Sequence, residues 1–76
     1  RNKSERRRIV ADINELLRNL ESNLSRHQEK KISLEKNFTL VDSGEIYHDY
    51  AELLQTIEIE ELLYLQLMEV AEDIKG

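Results

Sequence analysis

Apolar residues recur at alternating spacings of three and four along the first half of the chain. The repeat occupies nine positions, seven of them apolar: Val10, Ile13, Leu17, Leu20, Leu24, His27, Lys31, Leu34 and Phe38. This heptad spacing is typical of a helix that buries one stripe against another helix. Because no Gly or Pro interrupts the stretch, the pattern predicts one α-helix over about residues 4–37.

The pattern stops at Thr39, and the residues that follow are typical of a turn. Asp42 is followed three places later by Glu45, which is the spacing of a capping box. In this motif the two side chains accept hydrogen bonds from backbone N–H groups at the start of a helix. We therefore expect a loop over about residues 38–43 and a second helix over about residues 44–75.

The second half carries its own heptad stripe, with eight apolar residues at nine positions: Ile46, Tyr50, Leu53, Ile57, Glu60, Tyr64, Leu67, Ala71 and Ile74. The alternation in residues 56–60 alone would favour a strand, but it is short and lies within a long helical window. Aligning the two stripes in opposite directions places Phe38 beside Ile46 and Leu34 beside Tyr50. The predicted fold class is all-α, a long antiparallel two-helix hairpin of coiled-coil type that forms one domain over residues 1–76.

The second helix is apolar on more sides than one neighbouring helix can cover. The apolar residues outside its stripe are Leu54, Ile59, Leu62, Leu63, Leu65, Met68 and Val70, and we predict that they form an interface. A helix that is apolar almost all round is normally interior. We therefore expect two hairpins to assemble into a four-helix bundle, either by self-association or with a helical partner protein.

Composition supports long helices and excludes other classes. Charged residues make up 36% of the 76 residues, and the chain has no Cys, Pro or Trp, unlike a disulfide scaffold. No apolar run approaches the ~18 residues that cross a bilayer. We expect no membrane partner and an intracellular location, cytoplasmic or nuclear. Because the chain opens with Arg1 rather than Met, we also expect it to be a segment of a larger protein.

Charge is divided unevenly between the halves. Residues 1–38 carry ten Lys and Arg against six Asp and Glu, net +4, whereas residues 39–76 carry one Lys against ten acids, net −9. If the chain doubles back, the basic first turns meet an acidic tail. We expect Arg1, Lys3 and Arg6–Arg8 to lie beside Glu69, Glu72 and Asp73, with each exposed pair contributing only ~0.2–1 kcal/mol.

Three polar residues occupy stripe positions: His27, Lys31 and Glu60. We interpret them as a specificity layer, in which buried polar groups disfavour wrong registers and wrong partners. The alternative is that the long side chains extend to the edge of the pair and His27 is an ordinary, partly exposed residue.

The residues Glu45-Ile46-Tyr47-His48 match the Glu-x-x-His motif of di-iron carboxylate bundles. Such sites lie in the middle of a bundle, whereas this motif lies at a helix start, where Glu45 is already explained as a cap. His48 falls on the side opposite the stripe. We therefore expect no metal and no cofactor.

The opening residues Arg1-Asn2-Lys3-Ser4-Glu5-Arg6-Arg7-Arg8 resemble the basic region of helix-loop-helix and zipper transcription factors. The resemblance covers eight to fourteen residues, and residues 39–76 lack the basic start of that family's second helix. The resemblance implies a dimer whose basic helices enter the major groove of DNA. A dimeric nucleic-acid-binding segment using Arg6, Arg7 and Arg8 is therefore the alternative function, although a solvated basic helix start explains the same residues.

No arrangement of residues points to catalysis, since the chain has no Cys, two His and no Gly-rich loop. We expect a non-enzymatic protein–protein interaction and oligomerisation module. It would assemble or tether a larger protein through its second helix.

Overall fold

The two halves of the chain form two long helices that lie side by side. The computed structural model describes residues 3–38 and 44–75, in which α1 spans Lys3–Asn37 and α2 spans Gly44–Lys75. These described residues contain no strand. The molecule measures 58 × 15 × 14 Å, which is close to the length of one 35-residue helix and the width of a single layer. The predicted all-α, coiled-coil-like hairpin is confirmed, while Asp42 of the proposed capping box lies outside the described residues.

The helices run antiparallel, since residues further along α2 contact residues nearer the start of α1. The Tyr50 hydroxyl donates to Glu35, Glu60 meets His27, and the Tyr64 hydroxyl donates to Glu21. The predicted alignment placed Tyr50 beside Leu34, the immediate neighbour of Glu35. These contacts therefore agree with the alignment to within about one helical turn.

The core lies along the two heptad stripes. Every stripe position in both helices is buried or half-buried, and Asn23 is the one further described residue that is not exposed. The most deeply buried side chains are Ile13, Leu53, Ile57 and Ala71, at 4–7% exposure. No described side chain falls below 2%, because a layer of two helices leaves water on both flanks of every core residue.

Aromatic rings close the end of the hairpin near the loop. The Phe38 ring lies 4.8 Å from the ring centroids of both Tyr47 and Tyr50, tilted against the first and edge-on to the second. The Phe38 N–H still bonds to the Leu34 carbonyl oxygen at 3.1 Å, which continues the α-helical pattern. Three rings therefore hold the last turn of α1 against the first turns of α2.

Candidate interaction surface

The outer sides of α2 carry a band of exposed apolar side chains. All seven residues that the sequence singled out as an interface are exposed, from 38% for Leu54 to 64% for Ile59. The intervening members of the set are Leu62, Leu63, Leu65, Met68 and Val70. Because α1 covers only the stripe, these side chains face outward along more than four helical turns. We call this set the apolar band.

Further exposed apolar residues lie outside the predicted set. They are Ile9, Leu16 and Ile32 on α1 and Tyr47 on α2. Ile9 and Leu16 each precede a stripe residue, as Leu63 and Val70 do on α2. In an antiparallel pair such equivalent flanking positions fall on the same side. The hairpin thus has one aliphatic flank built by both helices, and the seven-residue spacing of Ile9 and Leu16 was the signal in the sequence.

The opposite flank is crossed by two tyrosine–glutamate hydrogen bonds. The Tyr50 hydroxyl donates to Glu35 Oε2 at 2.6 Å, and the Tyr64 hydroxyl donates to Glu21 Oε1 at 2.5 Å. Each carboxylate holds the phenolic proton by this bond and raises the tyrosine pKa above 10.0, and partial burial and the acid's negative charge add to the shift. Sequence reasoning assigned these tyrosines to the stripe and missed the acids that they reach.

Two of the three polar stripe residues contact each other. His27 Nδ1 lies 2.7 Å from Glu60 Oε1, with side chains 31% and 14% exposed. A neutral imidazole with its proton on Nδ1 donates this bond, and a protonated one makes it an ion pair. Lys31 is half-buried and forms no hydrogen bond or ion pair with a described residue. The structure therefore joins His27 to Glu60 and leaves Lys31 out of the pair.

A groove with a cationic rim lies between the first turns of α1 and the last turn of α2. It encloses about 360 Å³. Four cationic residues line it, together with three apolar residues and one amide: Lys3, Arg6, Arg7 and Lys75; Val10, Ala11 and Ile74; and Asn14. None of these lining residues is acidic. A lining that combines several cations with apolar side chains suits an acidic group carried on an apolar surface.

The expected pairing of the basic first turns with the acidic tail is not formed among the described residues, and Arg1 lies outside them. Arg6, Arg7 and Arg8 make no ion pair with any residue of the described ranges. The physical reason is position on the helix. Glu69, Glu72 and Asp73 occupy outer positions of α2, pointing away from α1, so the opposite charges of the two helices share one end without meeting.

The Glu-x-x-His residues do not form a metal centre within the described part of the chain. His48 Nε2 lies 3.4 Å from Glu52 Oε1, and both side chains are about 70% exposed. Nowhere in residues 3–38 and 44–75 do three His, Asp or Glu side chains come together as a set of metal ligands. The two groups form a solvated pair one turn apart on α2.

Comparisons of the chain with protein families, with curated proteins and with solved structures find no match. Within the described ranges, neither helix combines the length and the apolar character needed to cross a membrane.

Proposed function

We propose that this hairpin is a non-enzymatic protein–protein interaction module that assembles or tethers a larger protein through α2. The observation that carries the proposal is the apolar band, whose seven side chains stay exposed when α1 is in place. Contiguous apolar surfaces of this kind are typical of protein interfaces. In the assembled form a second helix pair would cover the band and complete a four-helix bundle.

The size of the band is adequate for association. A fully exposed Leu, Ile or Met side chain gains about 1.5–3 kcal/mol on burial, so seven that are roughly half exposed hold about 5–10 kcal/mol per hairpin. Two such surfaces facing each other hold about twice that. The loss of translational and rotational freedom costs roughly 4–15 kcal/mol, which leaves a net gain when the bands are well matched.

The test is to place a charge inside the band. Leu62→Glu or Leu65→Glu should reduce the mass of the assembly to that of one hairpin while circular dichroism still reports a helical chain. Gln55→Glu is the matched control, because Gln55 is exposed and precedes Leu62 by one heptad. It adds the same charge without removing apolar surface, so the assembly should persist.

Sedimentation velocity of the unmodified chain provides the opposing outcome. A fully helical particle of 9.0 kDa that stays monomeric at millimolar concentration, and that also captures no helical partner, would refute the proposal.

The basic end supports a second candidate, a dimeric nucleic-acid-binding segment. Arg6, Arg7 and Arg8 are exposed and have no acidic partner among the described residues. Against it, exposed acids at the same end, Glu69 and Glu72 among them, repel phosphates. The interaction module is therefore the function that the geometry supports better.

A further inference from the structure

A second heptad stripe runs along α2 beside the first. Its members each follow a core position by one residue, and all of them are exposed: Tyr47, Ala51, Leu54, Glu58, Glu61, Leu65, Met68, Glu72 and Lys75. Five of the nine are apolar. Spacings of four and three allow such a stripe to pack against another helix in the same manner as the core stripe. We call it the outer stripe.

The outer stripe lies on the same side of the hairpin as the cationic groove. Lys75 belongs to both, and the groove's Arg7 and Asn14 occupy the α1 flank that carries Glu21 and Glu35. Along this side the charges are largely separated, with Glu72 as the one acid of the outer stripe at the cationic end. The cations of the groove lie on the C-terminal side of the apolar pair Leu65 and Met68. The acids Glu58 and Glu61 lie on the N-terminal side of that pair.

The acids Glu58 and Glu61 are available for contact with another molecule. Both side chains are exposed, and neither forms a hydrogen bond or ion pair with a described residue. The groove cations likewise lack an acidic neighbour on the rim. One hairpin therefore displays two complementary charged sites that its own fold keeps apart.

We propose that the occupant of the outer stripe is a second copy of this chain, packed antiparallel about a twofold axis that passes between Gln66 and Leu67. In this register Leu65 faces Met68 of the second copy, and Lys75 faces Glu58 of the second copy. Glu58 of each copy then enters the cationic groove of the other. The inference deepens the proposed interaction function and rests on it.

Charge favours this register over an antiparallel one displaced by two heptads and over a parallel one. Sliding the copies so that Leu54 faces Leu65 brings Glu58 opposite Glu61 and leaves both grooves empty of acid. A parallel, in-register pair places every cation and every acid against its own counterpart. The chosen register retains one unfavourable pair, Glu61 with Glu72, in each half, and like charges in an interface are costly. Glu61→Gln should therefore tighten the dimer.

A distance measurement between spin labels tests the orientation. The chain has no Cys, so a single label can be introduced at Gln55→Cys, on the exposed side of α2. With the axis between Gln66 and Leu67, two such labels lie 23 residues apart along the helices, about 35 Å at 1.5 Å per residue. A parallel dimer would bring them to roughly the 10 Å between packed helices. Gln66→Cys, beside the axis, gives a short distance in either dimer and reports that a dimer is present.

A charge swap tests the register. Lys75→Glu should weaken dimerisation on the order of fivefold to tenfold, since two exposed pairs are lost and replaced by repulsion. Adding Glu58→Lys to the same chain should restore affinity. Adding Glu52→Lys instead is the matched control, because Glu52 lies on another face of α2 and should not restore it.

The outcomes separate this inference from the proposed function. Long Gln55 distances with rescue by Glu58→Lys support it. A short Gln55 distance, or failure of that rescue, overturns the antiparallel register while leaving an interaction module in place. A hairpin that never dimerises but captures a different helical protein also overturns the inference that a second copy covers the outer stripe. Only a hairpin that neither dimerises nor captures a helical protein contradicts the proposed function.

Discussion

Truncation of Leu53 to Ala should lower the stability of the hairpin. The same truncation of Leu65, twelve residues later, should leave the stability almost unchanged. Leu53 is 7% exposed and Leu65 is 59% exposed, yet both lie on α2 and both lose the same atoms on mutation to Ala. Any difference between the two variants therefore reports burial rather than helix propensity or chemistry. The pair isolates the contribution of the core stripe.

The magnitude for Leu53→Ala follows from its burial. Core Leu→Ala substitutions cost about 2–5 kcal/mol, of which part is the cavity left behind. A two-helix layer has water on both flanks and can collapse around the gap, so we expect the lower part of that range, about 2–3 kcal/mol. The whole domain has roughly 4–11 kcal/mol of stability at 76 residues, so this single change removes a large fraction of it.

Urea and thermal unfolding followed by circular dichroism measure the effect. For Leu53→Ala we expect a melting temperature lower by about 10–20 °C, and for Leu65→Ala a free energy of unfolding within about 0.5 kcal/mol of the original chain. The comparison is made at concentrations where the assembly has dissociated. Equal losses in the two variants would refute the division of α2 into a folding side and an association side, and would mean that folding and association are one event.

Three further predictions concern the polar groups. Because the folded-state pKa values of Tyr50 and Tyr64 lie above the ordinary 10.0, their hydrogen bonds contribute stability that is complete below about pH 10 and is lost as pH rises through the raised pKa. Absorbance titration should show two phenols that ionise later in the folded chain than in urea, and superimposable curves would contradict this. Replacing both His27 and Glu60 with Leu should raise the free energy of unfolding by about 1–2 kcal/mol while allowing extra registers or oligomers, visible by native mass spectrometry; a less stable variant with a single species would argue against a specificity layer. If Arg6–Arg8 hold nucleic acid, log affinity should fall with log salt by about 0.9 per phosphate contacted, and no binding at low salt would end that alternative.

The sequence was sufficient to identify the two core stripes. A spacing of three and four places residues on one side of a helix whatever the helix meets, so every position of the two stripes is buried or half-buried in the structure. Asn23 is the one addition, and it lies on the flank beside Leu24, where an i,i+3 contact from Arg26 partly covers it. The surplus of apolar residues on α2 followed from the same periodicity.

Contacts away from the stripes could not be obtained in this way. Periodicity gives the angle of a residue about its own helix, but not which residue of the other helix it reaches. The pairing of Tyr64 with Glu21 depends on axial alignment and on the length of a tyrosine side chain. The same limit explains why the arginines of the first turns were expected to meet the acids of the last turns, although those acids occupy outer positions of α2.

The sequence by itself determined that the chain forms two helices, which side of each is core, and that α2 keeps apolar surface to spare. Tertiary structure decided what lies beside what: the His27–Glu60 pair, the tyrosine–glutamate bonds on one flank, and the groove where Arg6 and Lys75 converge over Ile74. The reason is that a heptad repeat is a property of one helix, whereas a site requires two helices at a particular offset.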